Sequence, residues 1–125
     1  MGRLRICPSW IVDGAQMKDY DPNDAIDFIF KTAPAYAKAK GQLAELETFK
    51  SSLKAIKMAQ TDEQSLGAQE REAYRSQDYQ DLCKAIGSAT EQTEALRWQL
   101  EAAKMRVDIW RTEQASNRAI DKMVK

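Results

Sequence analysis

Apolar residues in the middle of the chain recur every three or four positions, which is the spacing of one face of an α-helix. The first such stretch covers residues 25–56 and follows Asp21 and Pro22, a typical helix start. The pattern therefore predicts a first helix over residues 22–60. Pro34 lies inside it and is expected to kink or break the helix, because proline has no amide hydrogen to donate.

A connection and a second helical stretch follow. Residues 61–67 predict a break between helices, and Gly67 is suited to a left-handed conformation there. Helical spacing resumes near Ala68, and Ser76 predicts a second break, because its hydroxyl can cap a helix that begins at Gln77. Steps of three and four then define a heptad seam over more than four heptads. The seam comprises Tyr79, Leu82, Ile86, Ala89, Thr93, Leu96, Leu100, Ala103, Val107 and Trp110.

These stretches predict an all-α fold. Two long helices joined by a short connection make a long antiparallel helical hairpin, which we assign to residues 21–125. Residues 1–20 are predicted to form a separate, short N-terminal extended or hairpin arm, because two strand-like apolar runs are separated there by Pro8. A disordered leader is the alternative for this segment.

Self-association is expected through the second long helix. Trp98 and Met105 lie seven residues apart beside the seam, so this helix has more apolar surface than one thin hairpin seam can bury. The expected interface of a homo-oligomer comprises Leu96, Trp98, Leu100, Met105, Val107 and Trp110. Alternatively, the N-terminal arm covers this strip within one chain, through Trp10 and Ile11.

Composition narrows the possible functions. The chain has 125 residues, two distant cysteines and no histidine, so a histidine general base, a zinc site and a disulfide framework have little support. It also has no nucleotide-binding or hydrolase motif. We therefore expect no enzyme activity, no catalytic residue, no metal and no cofactor. No apolar run reaches the length of a membrane span, so we expect no membrane partner and a cytoplasmic location.

Charge is balanced overall and uneven locally. Lys plus Arg and Asp plus Glu both number 19, which argues against a strongly basic nucleic-acid binder but leaves room for a local basic patch. Residues 38–60 carry five basic and two acidic side chains, whereas residues 61–95 carry three and eight. These two blocks would face each other in an antiparallel hairpin. Internal pairing is therefore one explanation of the asymmetry, and it would also specify the hairpin register.

Two groups of basic residues are candidates for contact with phosphates. Lys50, Lys54 and Lys57 share one face of the first helix, and a row of cations at this spacing can follow a nucleic-acid backbone. On the second helix the candidates are Arg111, Arg118 and Lys122. The alternatives are a solvated helix face for the lysines and complementarity to the helix dipole at the C-terminal end.

Basic residues recur at intervals of seven beside the seam of the second helix. The first three of this row follow an acidic residue by three positions, which predicts ion pairs along the helix surface. The predicted pairs are Glu94–Arg97, Glu101–Lys104 and Asp108–Arg111. Arg118 has alanine at the corresponding position, so the end of the helix is the least neutralised cationic surface.

The layout of these residues resembles phage recombination mediators of the UvsY type and small helical proteins encoded beside phage recombination genes. The resemblance extends over residues 25–120 and rests on the order of aromatic and basic positions. Its main elements are the lysine cluster, the tyrosines at 74 and 79, the segments 66–70, 96–98 and 107–111, and the tail at 117–120.

The resemblance implies a ring-like homo-oligomer that binds single-stranded DNA and helps load a recombinase onto strands coated by single-strand-binding protein. It implies a bacterial host cell and points to Lys54 and Lys57, supported by Lys50, as DNA contacts. The residues leave a second hypothesis open, in which the hairpin is a phage structural or host-interaction protein that binds another protein through its apolar strip.

Overall fold

The computed structural model describes residues 21–124. Three helices account for 93% of these residues, and no strand occurs among them. Helix α1 runs Pro22–Gln60, α2 runs Leu66–Arg75 and α3 runs Gln77–Val124. The all-α prediction is confirmed, whereas the arm assigned to residues 1–20 lies outside the described residues.

Helix α1 has the bounds that its sequence predicts. The side chain of Asp21 accepts a hydrogen bond from the amide of Asn23 at 2.9 Å, so the acidic residue caps the first turn. Pro34 lies inside the helix without ending it. Of the two outcomes expected for Pro34, a break does not occur: the proline lacks an amide hydrogen to donate, and the helix continues on both sides, as the predicted range 22–60 requires.

The connection between α1 and α2 is shorter than predicted and covers residues 61–65. Ser65 ends it, because its hydroxyl accepts a hydrogen bond from the amide of Ala68 at 3.1 Å and caps α2. Gly67 lies in the first turn of α2, and no described glycine has a positive φ. The left-handed role expected for Gly67 was therefore wrong, since the serine cap already starts the helix.

Ser76 separates α2 from α3, as its sequence context predicts. Its amide donates to the carbonyl of Ala73 at 3.2 Å, and its hydroxyl donates to the same oxygen at 2.7 Å. The hydroxyl also accepts from the amide of Tyr79 at 3.3 Å. One residue thus closes the end of α2 and caps the start of α3, which redirects the chain within a single position.

The chain divides into two compact units, and each combines part of α1 with part of α3. The first unit is Pro34–Arg97 and contains α2. Its buried side chains are Ala39, Leu53, Ala73, Leu82, Thr93 and Leu96. The hydroxyl of Thr93 donates to the carbonyl of Ala89 at 2.7 Å, so this polar residue is satisfied inside the apolar seam.

The described part of the second unit is residues 21–33 together with 98–124. Its buried residues are Ala25, Thr32, Ala103 and Arg106. The early part of α1 and the late part of α3 thus share a unit, as antiparallel pairing of the two helices requires. From residue 115 onward every described side chain is exposed, so the last turns of α3 have no packing partner among the described residues.

The predicted seam of α3 is confirmed, because all ten of its positions are buried or half-buried. The pattern of α1 was predicted less well. Thr32 is buried and its neighbour Ala33 is exposed, while Phe49 and Ile56 are about half exposed. The apolar pattern alone therefore predicted incorrectly which residues lie at the boundary of the buried face of α1.

Candidate functional site

Lys54 makes two contacts with α2. Its ammonium lies 3.1 Å from a carboxylate oxygen of Glu70 and 4.9 Å from the centre of the Tyr74 ring. The phenol of Tyr74 and then the carboxylate of Glu70 raise the pKa of Lys54 above its usual value. The favourable contribution of these contacts is therefore complete at neutral pH and is lost only as pH rises above the ordinary lysine pKa.

Lys57 is engaged in the same way with the start of α3. Its ammonium lies 2.6 Å from a carboxylate oxygen of Asp78, and the lysine side chain is only 22% exposed. Asp78 lies in the first turn of α3, where its negative charge also favours the helix dipole. The pair therefore ties the last turn of α1 to the first turn of α3.

The three lysines of the α1 face therefore differ in their contacts. Lys54 and Lys57 form ion pairs with acidic residues of the following two helices, whereas Lys50 is exposed and forms no ion pair with a described residue. This arrangement favours the internal-pairing explanation of the two charge blocks. For Lys54 and Lys57, a role in DNA binding stays a prediction, and it would require each lysine to exchange its carboxylate for a phosphate.

Sequence reasoning missed Glu70 and Asp78 as the individual partners of these lysines. The unequal charge of the two blocks was the available signal, but it does not specify residue pairs. The two tyrosines of this region also contact each other: the rings of Tyr74 and Tyr79 lie 5.1 Å apart in an edge-to-face arrangement. This contact joins the end of α2 to the start of α3.

The basic residues of α3 behave differently. The three predicted pairs along the helix are present, with nitrogen–oxygen distances of 3.1, 3.5 and 3.8 Å. They are Glu94–Arg97, Glu101–Lys104 and Asp108–Arg111. All of these side chains are more than two-fifths exposed, and exposed pairs of this kind contribute about 0–1 kcal/mol each.

Arg111, Arg118 and Lys122 form what we call the cationic row. All three are exposed on α3, with Arg118 about two turns after Arg111 and Lys122 about one turn after Arg118. The Arg111–Asp108 pair is the longest of the three pairs, and both side chains are more than seven-tenths exposed. Arg118 and Lys122 form no ion pair with a described residue. The row therefore presents positive charge that the described part of the fold neutralises only weakly.

The six residues expected at an oligomer interface occupy two different surfaces of α3. Leu96 is buried, and Leu100, Val107 and Trp110 are half-buried on the seam, so these four face the interior of their own hairpin. Trp98 and Met105 are 59% and 55% exposed. Ile109, which the sequence reasoning did not select, is 44% exposed one turn further along.

The remaining questions for residues 21–124 concern a metal site, a reactive thiol and a membrane-spanning helix. No group of three or more potential metal-ligating side chains occurs there. Cys83 carries an exposed free thiol. None of the helices in this range has the length and apolar content needed to cross a membrane.

The chain has no counterpart in the comparisons with known proteins. No protein-family model, curated protein or solved structure matches it. The expected likeness to recombination mediators therefore stands on the residues quoted from the sequence, and functional interpretation depends on the surfaces described above.

Proposed function

We propose that the protein is a non-enzymatic phage recombination accessory that binds single-stranded DNA in the cytoplasm of a bacterial host and assists a recombinase. The observation that supports this proposal best is the cationic row of α3. Its side chains are exposed, whereas two lysines of the α1 face are engaged within the fold. The proposed DNA contact therefore centres on Arg111, Arg118 and Lys122.

The row is suited to phosphates rather than bases. From Arg111 to Lys122 it extends over about 16 Å of helix, and its long side chains can follow a flexible strand without a fixed groove. Such contacts bind any sequence and weaken as salt rises, because each bound phosphate releases counterions. Loading a recombinase requires binding of this sequence-independent kind.

The affinity for single-stranded DNA would come from several associated copies of the chain. One chain contributes only a few phosphate contacts, which gives weak binding at physiological salt. Several associated copies would raise the effective concentration of contacts along one strand and thereby the total affinity. The proposal accordingly includes a homo-oligomer, with a recombinase or a single-strand-binding protein as a further partner.

A second candidate function is supported by the exposed apolar residues Trp98, Met105 and Ile109. A contiguous apolar strip on a helix is a common docking surface for another protein. In this case the protein would be a phage structural or host-interaction protein, and the cationic row would only contribute to solubility and helix stability.

Binding to a labelled oligothymidine, followed by fluorescence anisotropy over a range of salt concentrations, distinguishes the two functions. Our proposal predicts micromolar or tighter binding at low salt, with the logarithm of affinity falling linearly as the logarithm of salt rises. Absence of binding at low salt would contradict it and favour the protein-docking function.

A further inference from the structure

A second line of uncharged residues runs along α3 on the side away from the seam. It starts at Trp98 and advances in alternating steps of four and three to Met123, and none of its eight positions is charged. The line spans about 38 Å of helix. We call it the outer line, and its principal members are Trp98, Ala102, Met105, Ile109, Ala119 and Met123.

The outer line has the properties of a helix–helix interface. Its alternating steps give a period of 3.5 residues, which keeps a stripe aligned with a neighbouring helix over several turns. The large side chains are exposed: Met105 by 55%, Ile109 by 44% and Met123 by 86%. The outer line is the second charge-free stripe of α3 besides the seam, and the positions adjacent to it carry most of the acidic and basic residues of the helix.

We propose that the outer line binds the outer line of a second copy of this chain, with the two α3 helices antiparallel. In this arrangement Trp98 lies opposite Met123 of the second copy, Ala102 opposite Ala119, and Ile109 opposite Thr112. Large residues then meet at the two ends of the contact and the alanines allow the helices to approach closely. The interface is isologous and therefore closes as a dimer.

Charges beside the line select this orientation. Glu101 and Lys122 flank the outer line on the same side, and antiparallel pairing brings each close to the other residue in the second copy, twice by symmetry. Parallel pairing would instead place Asp108 beside Glu113 of the second copy, which puts like charges together. The same parallel register would place Glu101 beside Arg106 of the second copy, but Arg106 is only 8% exposed in its own chain and offers no surface cation. The attraction available in one orientation and the repulsion in the other therefore favour antiparallel self-pairing.

The pairing also affects the cationic surface. In the single chain the carboxylate of Glu101 lies 3.5 Å from the ammonium of Lys104. This ion pair is exposed and contributes little energy. If Glu101 turns to Lys122 of the second copy, Lys122 leaves the cationic row and Lys104 takes its place as a released cation. Lys104, Arg111 and Arg118 then follow one another at intervals of seven residues. The dimer then presents two such rows outside the contact. Only this link to DNA depends on the proposed function, because dimerisation itself needs no DNA.

Cysteine cross-linking tests the orientation directly. Ala102→Cys and Ala119→Cys are made separately in a background in which Cys7 and Cys83 are replaced by serine. Antiparallel pairing predicts that a mixture of the two variants forms the disulfide-linked dimer under mild oxidation. It also predicts that neither variant forms it alone, since each new thiol is then about 25 Å from its own copy. Cross-linking of each variant with itself would show parallel pairing and overturn the proposal.

Light scattering without DNA tests the contact itself. We expect a dimer or a multiple of it at tens of micromolar, and Met105→Glu should shift the mass to the monomer while leaving helicity unchanged. Asn117→Glu is the matched control, because it adds the same charge off the outer line and should keep the wild-type mass. A wild-type monomer would overturn the proposal, and coverage of the strip by residues 1–20 would explain it. Persistence of DNA binding in that monomer would show that the proposed function survives.

Discussion

The bend of the chain, by which we mean the unit Pro34–Arg97 that contains α2, and the last part of α3 place similar charged residues in different kinds of ion pair. Around the bend, Lys54 and Lys57 pair with acids on other helices, at 3.1 and 2.6 Å. In α3 from residue 98 onward, the acids lie on the same helix as the bases and the pairs are longer and more exposed. Ion pairs between helices fix their register, whereas pairs along one helix leave its cations at the surface for a partner.

Apolar side chains show the same contrast. In the unit Pro34–Arg97, Leu53, Leu82 and Leu96 are buried within the chain. Beyond that unit the buried apolar residues among those described are only the small Ala25 and Ala103, while Met105 and Ile109 are about half exposed. The bend therefore carries much of the apolar packing and inter-helix pairing that stabilise the fold, and the end of α3 carries the surfaces proposed to act.

The largest effect on stability is expected from Leu82→Ala. Leu82 is 8% exposed on the seam of α3, so truncation leaves a cavity and should lower the free energy of unfolding by about 2–5 kcal/mol. Urea unfolding followed by circular dichroism measures this change. Leu66→Ala is the matched control, because Leu66 is 68% exposed and should lose less than about 1 kcal/mol. Equal losses would refute the assignment of the core to the seam.

Ser76→Ala is expected to have an intermediate effect. It removes the hydroxyl that closes α2 and caps α3, and loss of a helix cap typically costs about 1 kcal/mol. Ser88→Ala provides the control, since Ser88 is exposed inside α3, where alanine is the better helix former. A thermal melt in which both variants match the wild type would mean that Ser76 does not cap the helix.

The smallest effect is expected at the Lys57–Asp78 pair. Lys57→Glu should destabilise the fold by about 0.5 kcal/mol through repulsion from Asp78, and adding Asp78→Lys should recover most of that loss. Lys50→Glu should change stability little, because Lys50 is exposed and forms no ion pair with a described residue. If the double variant lost as much free energy of unfolding as the two single variants lose together, the two side chains would not interact.

The helices could be predicted from sequence because their signals are local. Asp21 with Pro22 marks the start of α1, and Ser76 followed by the regular seam marks the start of α3. Gly67 misled the prediction, because the serine cap at position 65 starts α2 before the glycine and leaves it in a helical conformation. Pro34 left a kink and a break as alternatives, and the helix continues through it.

The candidate surfaces could be predicted only in part. The ion pairs along α3 follow from a spacing of three residues, which sequence shows directly. The partners of Lys54 and Lys57 depend on how α2 and α3 pack against α1, and a single sequence does not reveal that register. For the same reason Leu96 and Trp98, two positions apart, were assigned to one interface although one is buried and the other exposed.

DNA binding by two double variants of equal net charge tests the central contrast most directly. One is Arg111→Ala with Arg118→Ala, and the other is Lys54→Ala with Lys57→Ala. At low salt we expect the arginine variant to lose at least about tenfold in affinity for oligothymidine and to reduce the salt slope by about 1.4, as the loss of two phosphate contacts requires. The lysine variant should bind nearly as wild type but melt at a lower temperature. Equal losses of affinity, or a greater loss in the lysine variant, would contradict the division of labour between the bend and the end of α3.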